Sequence, residues 1–374
     1  MTTMHANETL SVSAPVASAE AVAPAGGAGL LGAGVATLPG PAAATAAARR
    51  RAFITVGIVL VAACVLPFLV GNYRVFQFTL VLAYAIALIG LNMLTGYNGQ
   101  ISLGHGAFFA VGAYTAAILM DKANWPYWAT IPVAGLVCLV VGFLFGLPAL
   151  RLEGLYLAVA TLALGVTMPQ ILKHKAIEHW TGGVQGIVII KPDPPEWLKV
   201  SQDQWLYFFV LAWTVALVVV AWNLLRGRIG RAMVAIRDQP IAAKAMGVNT
   251  AMTKSMTFGV SALYTGVAGA LNAIAVQFVA PDSFQQFLSI TLVVGIVVGG
   301  LASISGAFYG ALFIQFIPNV ADQLSKAAPW AIFGIFLIAF MYAMPTGVAG
   351  FLQQLAARWR RRRGASRTGQ GGGA

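Results

Sequence analysis

Few side chains in this 374-residue chain could do chemistry at membrane depth, and they cluster. Asn92, Thr95, Asn98, Gln100, Ser102 and His105 are interleaved with Gly96, Gly99 and Gly104, and Gly106 and Gly112 follow closely. Carboxamides, hydroxyls and one imidazole can bond a polar cargo or one another, and His105 could titrate near neutral pH. Polar groups at that depth are costly unless paired. Irregular backbone is tolerated there only when it is buried in protein or lines a water-filled cavity. The segment is therefore expected to face the interior of a helix bundle as a broken or re-entrant helix. Asn92, Asn98, Gln100, Ser102 and His105 are then the candidate residues of a translocation path. Close packing through small residues, with polar side chains as interhelical glue, accounts for the same pattern. Spacing does not separate the two readings.

The second stretch is a basic island, Arg226 to Lys254, with Arg226, Arg228, Arg231, Arg237, Lys244 and Lys254 against the single acid Asp238. A short helix is predicted inside it. Asp238 can cap its start, Pro240 sits in the first turn where no backbone donor is lost, and Ala242, Ala243, Lys244, Ala245 and Met246 favour helix. Gly247 suits a left-handed end. Such a helix runs to about seven residues, roughly 10 Å. Ala243 and Gly247 fall four apart on one face, where another protein could approach the backbone closely. A solvated basic loop with an incidental helix fits the spacing equally well.

Several chemistries are excluded by what the sequence lacks. It contains no G-x-x-x-x-G-K-[ST] phosphate loop, so ATP hydrolysis is not expected of this chain, nor any enzymatic activity. No His and Glu pair stands at metal-binding spacing within an apolar run. Carboxylates are nearly missing from those runs, which argues against a proton- or sodium-coupled carrier. Cys64 and Cys138 each lie in apolar sequence without a nearby partner and read as small buried hydrophobes.

The elements that must position these residues are transmembrane helices. Hydrophobic residues make up 59% and charged residues 9% of the chain, where a soluble domain carries about a quarter charged. The expected fold is all-α, a polytopic bundle of about ten spans: 53–70, 75–94, 100–120, 127–150, 154–172, 204–225, 255–279, two within 287–318 separated near Gly299-Gly300 and Ser303–Gly306, and 330–351. Residues 1–48 lack Lys and Arg and read as a disordered tail, 49–352 as the transmembrane domain, and 353–374 as a basic tail. A signal peptide is disfavoured because the charged first region is missing. Arg49–Arg51, Arg151, the island and the C-terminal arginines fall on one side of a ten-span chain, and most acids on the other. Positive-inside sorting then puts both termini in the cytoplasm and explains the net charge of +12 better than nucleic-acid binding does. Eight spans would also keep both ends inside but would require very long helices. The loop 173–203 is then external, with a glycine turn at Thr181–Gly186 and Trp180, Trp197 and Trp205 suited to a membrane interface.

Four stretches carry a resemblance. Ala242-Ala243-x-x-x-Gly247 resembles the coupling loop of ABC importer permeases, although Ile241 stands where that family usually has Glu. Gly230-Arg231-Ala232 … Ala235-Ile236-Arg237-Asp238 is similar to the version in branched-chain amino acid permeases of the LivM type. Gly99-Gln-x-Ser-Leu-Gly-His-Gly-Ala-Phe-Phe109 and Gly154-Leu-Tyr-Leu-Ala-Val-Ala-Thr-Leu-Ala163 resemble that family too, so that the likeness spans about residues 53–350. It implies a permease subunit in the inner membrane. Its partners would be a second, LivH-like permease, two ABC ATPase subunits that bind the ATP, and a periplasmic binding protein that delivers branched-chain amino acids. Arg231, Arg237, Asp238, Ala242, Ala243 and Gly247 would be its ATPase-coupling residues. A related permease for urea or short amides shares these motifs, and a stand-alone secondary carrier is the rival from another class. Gly106-Ala-Phe-Phe and Gly306-Ala-Phe-Tyr form an internal echo, as a duplicated transporter half would leave.

Overall fold

The computed structural model describes residues 41–355 apart from 151, 153, 197–199, 325 and 327. Residues 1–40 of the predicted tail, the C-terminal arginines, Arg151 and Trp197 thus lie outside the described residues. The chain divides into two units at Val59/Leu60. The described part of the first, 41–59, is helical throughout. Helix α1 (Pro41–Leu69) therefore begins inside the predicted tail. Pro41 opens an alanine-rich run, and proline at a first helical position followed by the best helix former explains that start.

The second unit is a helical bundle: α2 (Asn72–Asn92), α3 (His105–Asp121), α4 (Tyr127–Ala149), α5 (Leu155–Leu172), α6 (Glu178–Thr181), α7 (Gln202–Arg226), α8 (Arg228–Asp238), α9 (Pro240–Ala245), α10 (Thr250–Val276), α11 (Gln286–Gly299), α12 (Ile304–Leu324) and α13 (Pro329–Ala343). All ten predicted apolar runs fall on helices. Among the described residues eight helical segments are long and apolar enough to cross a membrane, while Ile54–Leu69 of α1 and the 17-residue α3 are shorter.

Helices α2 and α10 form the centre. Buried residues make up 83% of the apolar stretch of the first and 78% of the second, against 39% or less in the other six. Small residues make this possible. A Cβ on Gly112 of α3 would lie 2.0 Å from the carbonyl oxygen of Gly266 in α10, and one on Gly90 of α2 would lie 2.7 Å from that of Ser261. Between helices in lipid the drive to pack is dispersion and hydrogen bonding, so backbones that can touch are what hold the bundle together.

The bundle has two chemically distinct ends. At one, β1 (Ile187–Val188) pairs antiparallel with β2 (Phe278–Val279), with Ile187 opposite Val279. The glycine turn that sets up this pairing has positive φ at Gly182, Gly183 and Gly186. Lys173 pairs with Asp282 at 2.6 Å beside it, and Lys191 pairs with Asp203. At the other end lie α8 and α9, the glycine-rich break after α2 and the turn between α11 and α12. Charge sorting predicts the first end to be external. In a Cys64→Ala/Cys138→Ala background, a cysteine replacing exposed Val184 should react with an impermeant thiol reagent in intact cells, and one replacing exposed Ala245 should not. The reverse pattern would invert the orientation.

Candidate functional site: the glycine-rich break and the basic island

Helix α2 does not end cleanly. It passes into a π-turn, Met93–Tyr97, in which the Asn98 N–H donates to the Met93 carbonyl at 3.2 Å, and Gln100 N–H reaches back to Leu94 at 3.1 Å. Regular helix resumes only at His105, so the predicted third span starts five residues later than its apolar run. The break is the irregular segment expected from its glycines.

The polar side chains of the break are buried, with exposures of 2% for Asn92 and Asn98, 8% for Gln100, 0% for Ser102 and 1% for His105. Asn92 Nδ2 donates to the Ser303 carbonyl at 2.9 Å and to that of Gly300 at 3.4 Å, while its Oδ1 accepts from Ala302 N–H at 2.8 Å. One carboxamide thus satisfies the backbone of the turn between α11 and α12, where Gly300 and Ala302 both have positive φ. Asn98 Nδ2 donates to Gln100 Oε1 at 2.8 Å, and Thr95 Oγ1 to the Gln100 carbonyl at 3.1 Å. Among the described residues, Asn98 Oδ1 has no hydrogen-bond partner.

His105 sits in a directed chain. Ser261 Oγ donates to the Gly90 carbonyl at 2.7 Å, so at 2.6 Å it accepts from His105 Nε2–H. The free Nδ1 then accepts from Ser102 Oγ at 2.9 Å. A neutral imidazole satisfies both neighbours, and the chain ties α3 to α10 and α2. Nearby, Gly106 N–H donates to Ser289 Oγ at 2.9 Å, and Leu103 N–H to Thr161 Oγ1 at 2.9 Å.

These contacts tie the candidate path residues into the bundle. Asn92 acts as a staple to the α11–α12 turn and His105 bonds across to α10, while Asn98 with Gln100 and Ser102 with His105 bond within the break. A cavity of about 600 Å³ lies elsewhere, among Tyr84, Asp282, Ser283, Gln285, Leu288 and Thr291, and none of the five lines it. The internal echo has a structural counterpart. Gly106 is in the first turn of α3 and Gly306 in that of α12, each just after a break and each pressed on α11 or its end: a Cβ would meet Ser289 Oγ at 2.6 Å and the Gly300 carbonyl oxygen at 2.6 Å.

In the island, α8 buries Gly230, Met233 and Ile236 on one face. Its last residue is Asp238, which does not cap the next helix. Its carboxylate is held by Arg237 (Nε 3.0 Å, Nη2 2.9 Å), and Gln239 occupies the cap position without a side-chain bond. Pro240 takes the first turn of α9 as expected. Gly247 ends it at φ +84°, with Val248 N–H on the Ala243 carbonyl at 3.0 Å and Gly247 N–H on that of Lys244 at 3.1 Å. Positive φ at the residue after the helix is what lets these closing bonds form.

Ala243 is 4% exposed and turned toward its own chain, so it does not present the outward face that spacing predicts with Gly247. The outward side chains are Ile241 at 82% and Met246 at 85% exposure. Arg231 is exposed, and its Nη1 donates to the Arg226 carbonyl at 3.3 Å. Arg237 is different. Its Nη1 donates to the Gly96 carbonyl at 2.9 Å, which joins the island to the glycine-rich break. Spacing along the chain gives no signal for that contact between two motifs far apart in sequence.

A family model described as the permease component of the branched-chain amino acid transport system matches residues 73–345. The high-affinity branched-chain amino acid transport system permease protein LivM of Escherichia coli (strain K12) is 30% identical over 331 residues, covering 82% of this chain and 77% of that protein. The LivH permease protein of the same kind of system in Salmonella typhimurium is 23% identical, covering 73% and 92%. The autoinducer 2 import system permease protein LsrC of Enterobacter sp. (strain 638) is 28% identical, covering 68% and 71%. No solved structure matches.

Proposed function

We propose, from the premise that the chain belongs to the permease family of the branched-chain amino acid transport system, that it is one transmembrane half of an ABC importer for branched-chain amino acids in the inner membrane. A second, LivH-like permease supplies the other half. Two ABC ATPase subunits dock on the cytoplasmic side and bind the ATP, and a periplasmic binding protein delivers substrate to the end that carries β1 and β2. Both termini are cytoplasmic in this reading, with the basic island.

The observation that carries the proposal is α9. It projects Ile241 and Met246 almost fully exposed from an island otherwise rich in cations, while Ala243 anchors it to its own bundle. Two large apolar side chains held out from one short helical turn in a cationic island support a protein contact. Their neighbour in sequence, Arg237, is joined to the break, so a push on α9 has a route into the membrane helices. ATP binding and release by the partners would then switch the bundle between two conformations by differential contacts.

The test is reconstitution. Proteoliposomes holding this chain, its partner permease and both ATPases should take up leucine, isoleucine or valine only with ATP inside and binding protein outside. Uptake by the chain alone would make it a stand-alone carrier. The LsrC relative is named for autoinducer 2 import, so that ligand, urea and a short amide belong in the same assay as competitors.

A further inference from the structure

We infer that Arg237 is the positioning residue that transmits movement of the ATPase-docking helix to both broken helices of the bundle; this rests on the importer reading above.

The argument is one of continuity. The guanidinium is a rigid planar fork, and here its two sides are used at once. Nε and Nη2 hold Asp238, the last residue of α8, while Nη1 holds the Gly96 carbonyl inside the π-turn. The contact is also steric. Gly99 has φ +73°, and a Cβ there would lie 2.9 Å from Arg237 Cγ and 3.5 Å from its Cα, so the arginine stem lies directly on the backbone of the break. A hydrogen bond backed by packing carries a push as well as a pull.

From Gly96 the connection continues without a gap. The position a Cβ of Gly96 would occupy is 2.1 Å from Asn92 Oδ1 and 2.5 Å from Ala302 N, so this backbone touches both the Asn92 staple and the α11–α12 turn. Asn92 in turn holds Ala302, Ser303 and Gly300 by hydrogen bonds. Within a short distance Arg237 therefore contacts the island, the break after α2 and, through Asn92, the break before α12. These breaks are where helices can change direction at least cost, because their backbone is already outside the regular ladder. Arg237 keeps 35% of its side-chain surface accessible, so it is not locked in a closed core and can shift with α8.

Arginine suits this place better than lysine. A lysine has one ammonium on a flexible stem and loses the planar two-sided hold. The expected signature is uncoupling: partners dock and ATP is hydrolysed, but the bundle does not follow.

The test uses the complete importer in a Cys64→Ala/Cys138→Ala background, with Leu301→Cys as a reporter in the α11–α12 turn, where Leu301 is 52% exposed. In the parent, ATP should change the rate of thiol labelling at position 301. In Arg237→Gln the ATPases should still co-purify and hydrolyse ATP, because docking is assigned to Ile241 and Met246. Substrate moved per ATP should fall about tenfold or more, in line with loss of a charged hydrogen bond, and labelling at 301 should no longer respond to ATP. Arg237→Lys should recover only part of both readouts, and it carries the test alone if Arg237→Gln does not insert and pair with the partner permease. Full transport per ATP in either variant, or a normal nucleotide response at 301, overturns the inference. Loss of ATPase co-purification on Arg237→Gln also overturns it, by making Arg237 a docking residue. A parent complex without ATPase partners would sink the importer reading instead, so the two failures are distinct.

Discussion

Gly96→Val is expected to abolish uptake and to lower the thermal midpoint of the detergent-solubilised complex by roughly 5–10 °C. The first atom of the new side chain would fall 2.1 Å from Asn92 Oδ1 and 2.5 Å from the backbone nitrogen of Ala302. Neither can retreat cheaply. The carboxamide is engaged with Ala302, Ser303 and Gly300, and the nitrogen belongs to a turn whose dihedrals are already unusual for a residue with a side chain. Overpacking costs typically about 1–3 kcal/mol, and each buried polar group left without its partner adds about 1–3 kcal/mol. Gly71→Ala is the control. Nothing lies within 4 Å of its added carbon, and its φ of −67° suits any residue. Fluorescence-monitored melting together with uptake checks the pair. A Gly96→Val complex that melts and transports like the parent would mean the staple between the broken helices is dispensable.

The second large effect is expected at α9. Ile241→Asp combined with Met246→Asp should bring ATP-driven uptake to background while the permease still inserts and pairs. Each apolar side chain is worth about 1.5–3 kcal/mol when fully buried in a partner's groove, and an unpaired carboxylate in such a groove costs more. Together these weaken docking by at least ~10²-fold. The folded permease loses little, because both side chains are more than four-fifths exposed and touch their own chain sparingly.

Much of this architecture is legible in the sequence because its rules are local. Apolar length marks each of the long apolar helices, Pro240 and Gly247 bound α9, and glycines at 96, 99 and 104 mark the break. What escapes is what depends on partners far along the chain. Ala243 and Gly247 share a face on a helical wheel, yet α9 is laid with Ala243 against its own bundle, which periodicity in six residues cannot orient. Asp238 has the right chemistry to cap α9 but is taken by its neighbour Arg237. The partners of Asn92 and His105, residues 300–303 and Ser261, lie far along the chain and leave no mark in a spacing pattern. The β1–β2 pairing is likewise unreadable, since two-residue strands leave no periodic signal.

The most direct test of the central claim, that α9 is where ATPase subunits grip this chain, is a quantitative pull-down. The affinity-tagged chain, co-expressed with its partner permease, is titrated with the purified ATPase pair, the parent beside Ile241→Asp/Met246→Asp and beside Lys244→Ala. Lys244 is exposed, and its loss should cost at most about 1 kcal/mol. The account predicts near-parental binding by Lys244→Ala and an affinity at least ~10²-fold weaker for the double variant. Parental ATPase binding by the double variant, with correct insertion confirmed, would contradict it.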